Sequence, residues 1–130
     1  MAYNKQIWYN YINKGGDTMK FYKQGSTILE AINGDALLDE VKVRSVDASV
    51  EKHVPQIEVD GNTITITVGS AIHPMEEKHY IEFIEIETKK GIQRKNLKPG
   101  DEPKAVFSLY DDELVCAYAY CNLHGMWDNK

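Results

Sequence analysis

From residue 54 onward, apolar side chains recur at every second position and are interrupted by tight-turn signals, a pattern that admits short strands and excludes long helices. Ile57 and Val59 alternate with polar residues, Asp60-Gly61-Asn62 supplies a hairpin turn, and Ile64, Ile66 and Val68 resume the alternation with threonines between them. Such β-branched runs suit a half-buried strand. Residues 79–88 read as the next strand, with an apolar phase shift between Phe83 and Ile84 that signals a bulge or burial on both faces. Lys89-Lys90-Gly91 and Lys98-Pro99-Gly100 punctuate what reads as a long basic connection. Ala105, Phe107 and Leu109 alternate again, Asp111-Asp112 turns the chain, and residues 114–120 return. The expected class is all-β, a sandwich.

The first fifty residues differ. Ile7, Trp8, Tyr11 and Ile12 fall on one stripe of a short helix that Gly15-Gly16 ends, and Met19 offers a second start. Beyond it, residues 20–22 and 28–32 read as two short strands. At 130 residues the chain is expected to hold one ordinary domain and a small appendage. Its net charge of −5 disfavours nucleic acid and anionic membranes as partners. No apolar run approaches the ~18 residues of a membrane helix, and residues 1–16 carry no secretory pattern, so the cytoplasm is the expected location. An anionic substrate would need a local positive centre to override the global field.

The only cysteines are Cys116 and Cys121. On one strand they face opposite sides and lie roughly 16 Å apart, too far for a disulfide. Cys116 reads as a small buried hydrophobe. All four histidines lie in the β part. His53 and His73 flank the hairpin almost symmetrically, so its folding carries both to one edge of the sheet. His79 follows after a short loop, and Cys121 and His124 sit three apart before Gly125, where a tight turn brings both side chains to one point. A structural zinc site closes at four ligands, so five point to a metal that prefers six and keeps one position open. That metal is iron.

Three segments, Glu51-Lys52-His53-Val54-Pro55, His73-Pro74-Met75-Glu76-Glu77-Lys78-His79-Tyr80-Ile81 and Cys121-Asn122-Leu123-His124-Gly125, resemble the signature segments of superoxide reductases of the desulfoferrodoxin and neelaredoxin family. The resemblance spans residues 45–127. It implies an immunoglobulin-like sandwich with one mononuclear iron, equatorial His53, His73, His79 and His124, an axial Cys121, and a sixth position open to solvent. The implied activity is one-electron reduction of superoxide to hydrogen peroxide. Lys52 is then expected to attract the anion and help deliver a proton, and Glu51 to occupy the open position in the ferric resting state. An electron donor such as rubredoxin would restore the iron. The cluster Lys89, Lys90, Arg94, Lys95 and Lys98 reads either as a solvated connection or as a dock for that donor. A homo-oligomer is expected.

Upstream, Met19-Lys20-Phe21-Tyr22 is similar to the opening of the desulforedoxin-like domain of desulfoferrodoxins, which holds a second iron on four cysteines. Gln24 and Thr27 stand where a Cys-x-x-Cys would fall. The expected organisation is therefore an extension at 1–18, a degenerate metal-free region at 19–50, and an iron-binding sandwich at 51–130. The rival is a non-catalytic electron carrier or iron store, which would need no Lys52 beside the site. A dismutase would need a high-potential iron, and thiolate donation works against that.

Overall fold

The computed structural model describes residues 19–32 and 34–130, so the helix expected within 1–18 lies outside the described residues. Two compact units divide between Val41 and Lys42. No described helix is long and apolar enough to cross a membrane.

The first unit contains a three-stranded antiparallel sheet of β1 (Lys20–Gln24), β2 (Thr27–Ala31) and β3 (Asp39–Val41), in the order β2-β1-β3. The first two are the strands expected from sequence. Gln24 and Thr27 form the closing pair of their hairpin, around Gly25 at φ 60°. The short, polar β3 has no apolar period to announce it and forms through pairing with β1.

The second unit is an all-β, immunoglobulin-like sandwich of three plus four strands. It begins with a single helical turn, α1 (Val50–His53). The smaller sheet has the order β4-β5-β8, from β4 (Pro55–Asp60), β5 (Thr63–Val68) and β8 (Lys104–Ser108). The expected hairpin is present, with Asp60 opposite Thr63 across Gly61-Asn62 and Pro55 opposite Val68 at its open end. The larger sheet has the order β10-β9-β6-β7, from β6 (Ile81–Thr88), β7 (Gly91–Asn96), β9 (Leu114–Cys121) and β10 (Gly125–Asp128). Ile64, Ile66 and Val68 of β5 pack with Ala105, Phe107, Ile81, Ile84, Ile86, Ala117 and Ala119 in one core. Cys121 belongs to that core, and Cys116 does not.

The expected burial on both faces holds from Phe83 to Ile86. Two expectations need correction. The strand read from residue 79 starts at Ile81, and its register shifts lie between Glu87 and Thr88 and between Ile81 and Phe83. The extra residue there puts both Ile81 and Ile84 on the core side despite their odd separation. The basic connection is in fact β7, an edge strand paired with β6 from Phe83–Asn96 to Thr88–Gly91. Charged edge strands are common because they discourage further pairing. Its cations do not form a bare cluster. Arg94 Nε donates to Glu85 at 2.6 Å with its guanidinium carbon 3.7 Å over the Phe83 ring, Lys89 meets Glu113 at 2.7 Å, and Lys90 meets Asp111 at 2.9 Å. The acids come from β6 and the β8–β9 turn, distant in sequence.

Candidate metal centre

The candidate donors sit at the ends of α1 and β9, in the loop after β5, and just before β6 and β10. His53 is the last residue of α1 and is 3% exposed. Its Nδ1 lies 2.7 Å from the Ser49 carbonyl, which fixes Nδ1 as the donor and turns the Nε2 lone pair inward. His73 follows β5 and is held in the same way, Nδ1 donating to the Pro74 carbonyl at 2.7 Å. Its own N–H donates to the Val68 carbonyl at 3.0 Å, closing the loop tightly. His79 precedes β6 and is pinned by a two-way bridge to Glu76, at 2.9 and 3.0 Å. Cys121 ends β9 with no exposed surface, and His124 occupies the turn into β10, where Gly125 at φ 77° permits the reversal.

The four imidazoles form a closed cycle. Ring centroids are 4.8 Å apart for His53–His73, 4.7 Å for His73–His79, 5.1 Å for His79–His124 and 4.9 Å for His53–His124, every pair edge-to-face. One ligating atom from each of His53, His79, Cys121 and His124 falls within a 4.8 Å cluster. His53 Nε2 and His124 Nδ1 are 3.1 Å apart, and Cys121 Sγ is 3.8 Å from that Nδ1. Trp127 stacks on His53 at 4.9 Å and donates its indole N–H to the His124 carbonyl at 3.0 Å, bracing two corners of the cycle together.

Electrostatics prepare the donors. Burial is the main cause that pushes the His53 and His79 imidazoles below the usual range and His73 down to about 4. These three rings are therefore neutral and ligand-competent at neutral pH. Burial pushes the Cys121 thiol up, while the Leu123 and His124 backbone N–H groups act in the opposite direction. A coordinated cation removes that proton outright. The Nε2 atoms of His73 and His79 are buried with no hydrogen-bond partner. Leaving a buried polar atom unsatisfied costs roughly 1–3 kcal/mol, so two such nitrogens aimed at one point are the mark of a metal site. Imidazole and thiolate together suit iron or zinc as a ligand set.

Glu51 and Lys52 lie on the exposed side of α1. Their charges reach the cycle: Lys52 lowers the proton affinity of His79, and Glu51 raises that of His53. Cys116 is buried elsewhere, with Sγ 3.3 Å from Asn129 Oδ1 and burial pushing its thiol up. Spacing alone did not single out Ser49, Pro74 or Trp127. The first two act through main-chain carbonyls, which carry no side-chain signal, and Trp127 acts through the unexpected strand β10.

A β-sandwich that gathers His53, His79, His124 and Cys121 within one cluster, with the His73 ring packed against two of them, defines a protein able to hold a metal on histidine and cysteine. The desulfoferrodoxin family model matches residues 45–130, and the chain belongs to that family. It is 53% identical over 89 residues to a desulfoferrodoxin homolog of Archaeoglobus fulgidus, covering 68% of this chain and 70% of that one. It is 46% identical over 112 residues to the desulfoferrodoxin of Nitratidesulfovibrio vulgaris, covering 86% and 73%. The crystal structure of the superoxide reductase from Treponema pallidum superposes with a TM-score of 0.79 at 38% identity, over 86% of this chain and 98% of the other.

Proposed function

We propose that this chain is a superoxide reductase whose single iron is held by His53, His73, His79, His124 and Cys121. The observation that carries this reading is the closed four-imidazole cycle beside a fully buried thiol, in a chain of this family. Iron bound there supplies a one-electron couple, and superoxide plus one electron and two protons gives hydrogen peroxide. The chain's residues account for the rest. His53 and His73 are walled in, whereas His79 and His124 are half-buried, so a small anion approaches by their edge. Lys52 supports capture as an exposed cation directly before His53 in an otherwise acidic molecule, and local focusing of this kind raises on-rates by about 10–10³. As an exposed ammonium it is also placed to pass a proton to the product. Glu51, exposed on the same helical turn, would be the carboxylate available to a bound ferric ion in the resting state. Neither group would serve a pure electron carrier or iron store.

In this reading the part of the expected 19–50 region that lies in the first unit, residues 19–41, is a desulforedoxin-like remnant that holds no metal, because Gln24 and Thr27 replace thiolates. Residues 42–50 belong to the sandwich unit. A rubredoxin-type protein donates the electron, and the enzyme works in the cytoplasm as a homo-oligomer. The pairing of Lys89, Lys90 and Arg94 with acids removes the main support for the β7 hairpin as the donor's dock. The test is iron content together with product stoichiometry. One iron per chain and one peroxide per superoxide consumed, with no oxygen evolved, are expected. Two irons per chain, zinc alone under iron-replete growth, or oxygen evolution would overturn the reading.

A further inference from the structure

His53 and His73 are aimed through their own rings, each Nδ1 bonded to a carbonyl. The His79 ring makes no hydrogen bond to the described residues, yet its Nε2 is buried and directed into the same cycle. What orients it is the backbone on either side. Asn122 Nδ2 donates to the Lys78 carbonyl at 3.0 Å, and the Tyr80 N–H donates to Asn122 Oδ1 at 2.9 Å. The amide thus straddles His79, gripping the peptide group before it and the one after it. The Asn122 backbone N–H adds a third bond, to the Tyr80 carbonyl at 3.1 Å. Asn122 is itself the residue after Cys121 and two before His124.

We infer that Asn122 is a positioning residue that sets His79 against the Cys121–His124 turn and so determines how well the five donors converge. This rests on His79 being a ligand. The amide is suited to the task because it offers a donor and an acceptor from one rigid plane. An aspartate keeps the acceptor for Tyr80 but turns a charged oxygen toward the Lys78 carbonyl. An alanine keeps only the backbone bond. Partners that orient ligands in this way typically change metal affinity 10–100-fold when removed.

The test is chelator competition with Fe²⁺ and with Zn²⁺ on the full chain, for wild type, Asn122→Ala, Asn122→Asp, His79→Ala and the double variant Asn122→Ala/His79→Ala. Thermal unfolding of each metal-free form reports folding separately. Asn122→Ala is expected to weaken binding about 10–100-fold. In the His79→Ala background the same substitution is expected to cost nothing further, since its action passes through His79. Asn122→Asp, which preserves volume, is expected to fall between and stands in if the alanine variant does not fold. Unchanged affinity in the folded variants, or an equal loss with and without His79, would overturn the inference and leave the ligand assignment standing. A wild-type chain that binds neither metal would overturn the assignment itself.

Discussion

Gly69 lies against the main chain of Lys52 so closely that a Cβ built on it would be 2.7 Å from the Lys52 carbonyl carbon. The Glu51 carbonyl beside it accepts from Ala71 N–H at 2.9 Å and from Ser70 Oγ at 3.3 Å. Residues 69–71 are therefore moulded onto α1, which carries His53, and lead two residues later to His73. Their fit sets two corners of the imidazole cycle.

A methyl group at Gly69 has no space, and the obstructing atoms are backbone. Gly69→Ala is expected to cost about 1–3 kcal/mol in stability, as overpacking does. It should also weaken metal binding, because relief of the clash moves α1. Urea unfolding and chelator competition measure the two effects, and a variant unchanged in both would show that the loop has slack.

Cys121→Ser is expected to abolish the sulfur-to-ferric-iron absorption band, whereas Cys116→Ser leaves it intact. The ground is position: Cys121 Sγ lies 3.8 Å from His124 Nδ1, while Cys116 Sγ contacts Asn129. Optical spectra of the two oxidised variants decide the matter. Loss of the band from Cys116→Ser would reverse the assignment.

Lys52→Ala is expected to slow superoxide capture about tenfold or more while leaving iron content and spectrum unchanged. At ~0.1 M salt, charges are screened over about 10 Å, so the wild-type rate should fall as salt rises and the variant's rate should fall less steeply. Pulse radiolysis of the reduced proteins across a salt series reads both slopes. Equal rates and equal slopes would mean the site's own charge suffices.

Glu87, on β6, is pushed above the usual carboxylate range, mainly by burial, although Tyr118 donates a hydrogen bond to it at 3.3 Å. A carboxyl with a raised folded-state pKa favours the native state below its unfolded value and loses that contribution as pH rises through the folded one. Ionising it in the folded state is thus a burden. Glu87→Gln keeps an acceptor for Tyr118 and is expected to raise the Tm at pH 7, with the gain vanishing below about pH 4. A gain that persisted at low pH would place its origin elsewhere.

What the sequence revealed and what it hid follow one physical line. The β4–β5 hairpin was legible because its faces differ, with Ile64, Ile66 and Val68 buried and threonines between. The cluster of His53, His79, Cys121 and His124 was legible because its residue types are rare and their spacing distinctive. Strand β7 was not, since Ile92 is its only apolar residue and its support comes from Glu85 and Phe83 across the sheet. Strand β10 and α1 are too short to show a period. The contacts of Gly69 and Asn122 are made to backbone atoms far away in sequence, which no pattern of side chains reports.

The 71 positions separating His53 from His124 have a consequence for biosynthesis. A nascent chain emerging from the ribosome can assemble the first hairpin and present three histidines, but it lacks the sulfur and the fourth imidazole until Cys121 and His124 follow. Partial donor sets bind metal weakly and with little discrimination. Metal binding by the full candidate set therefore waits until His124 has emerged, and a product truncated before Cys121 lacks both the sulfur and the fourth imidazole.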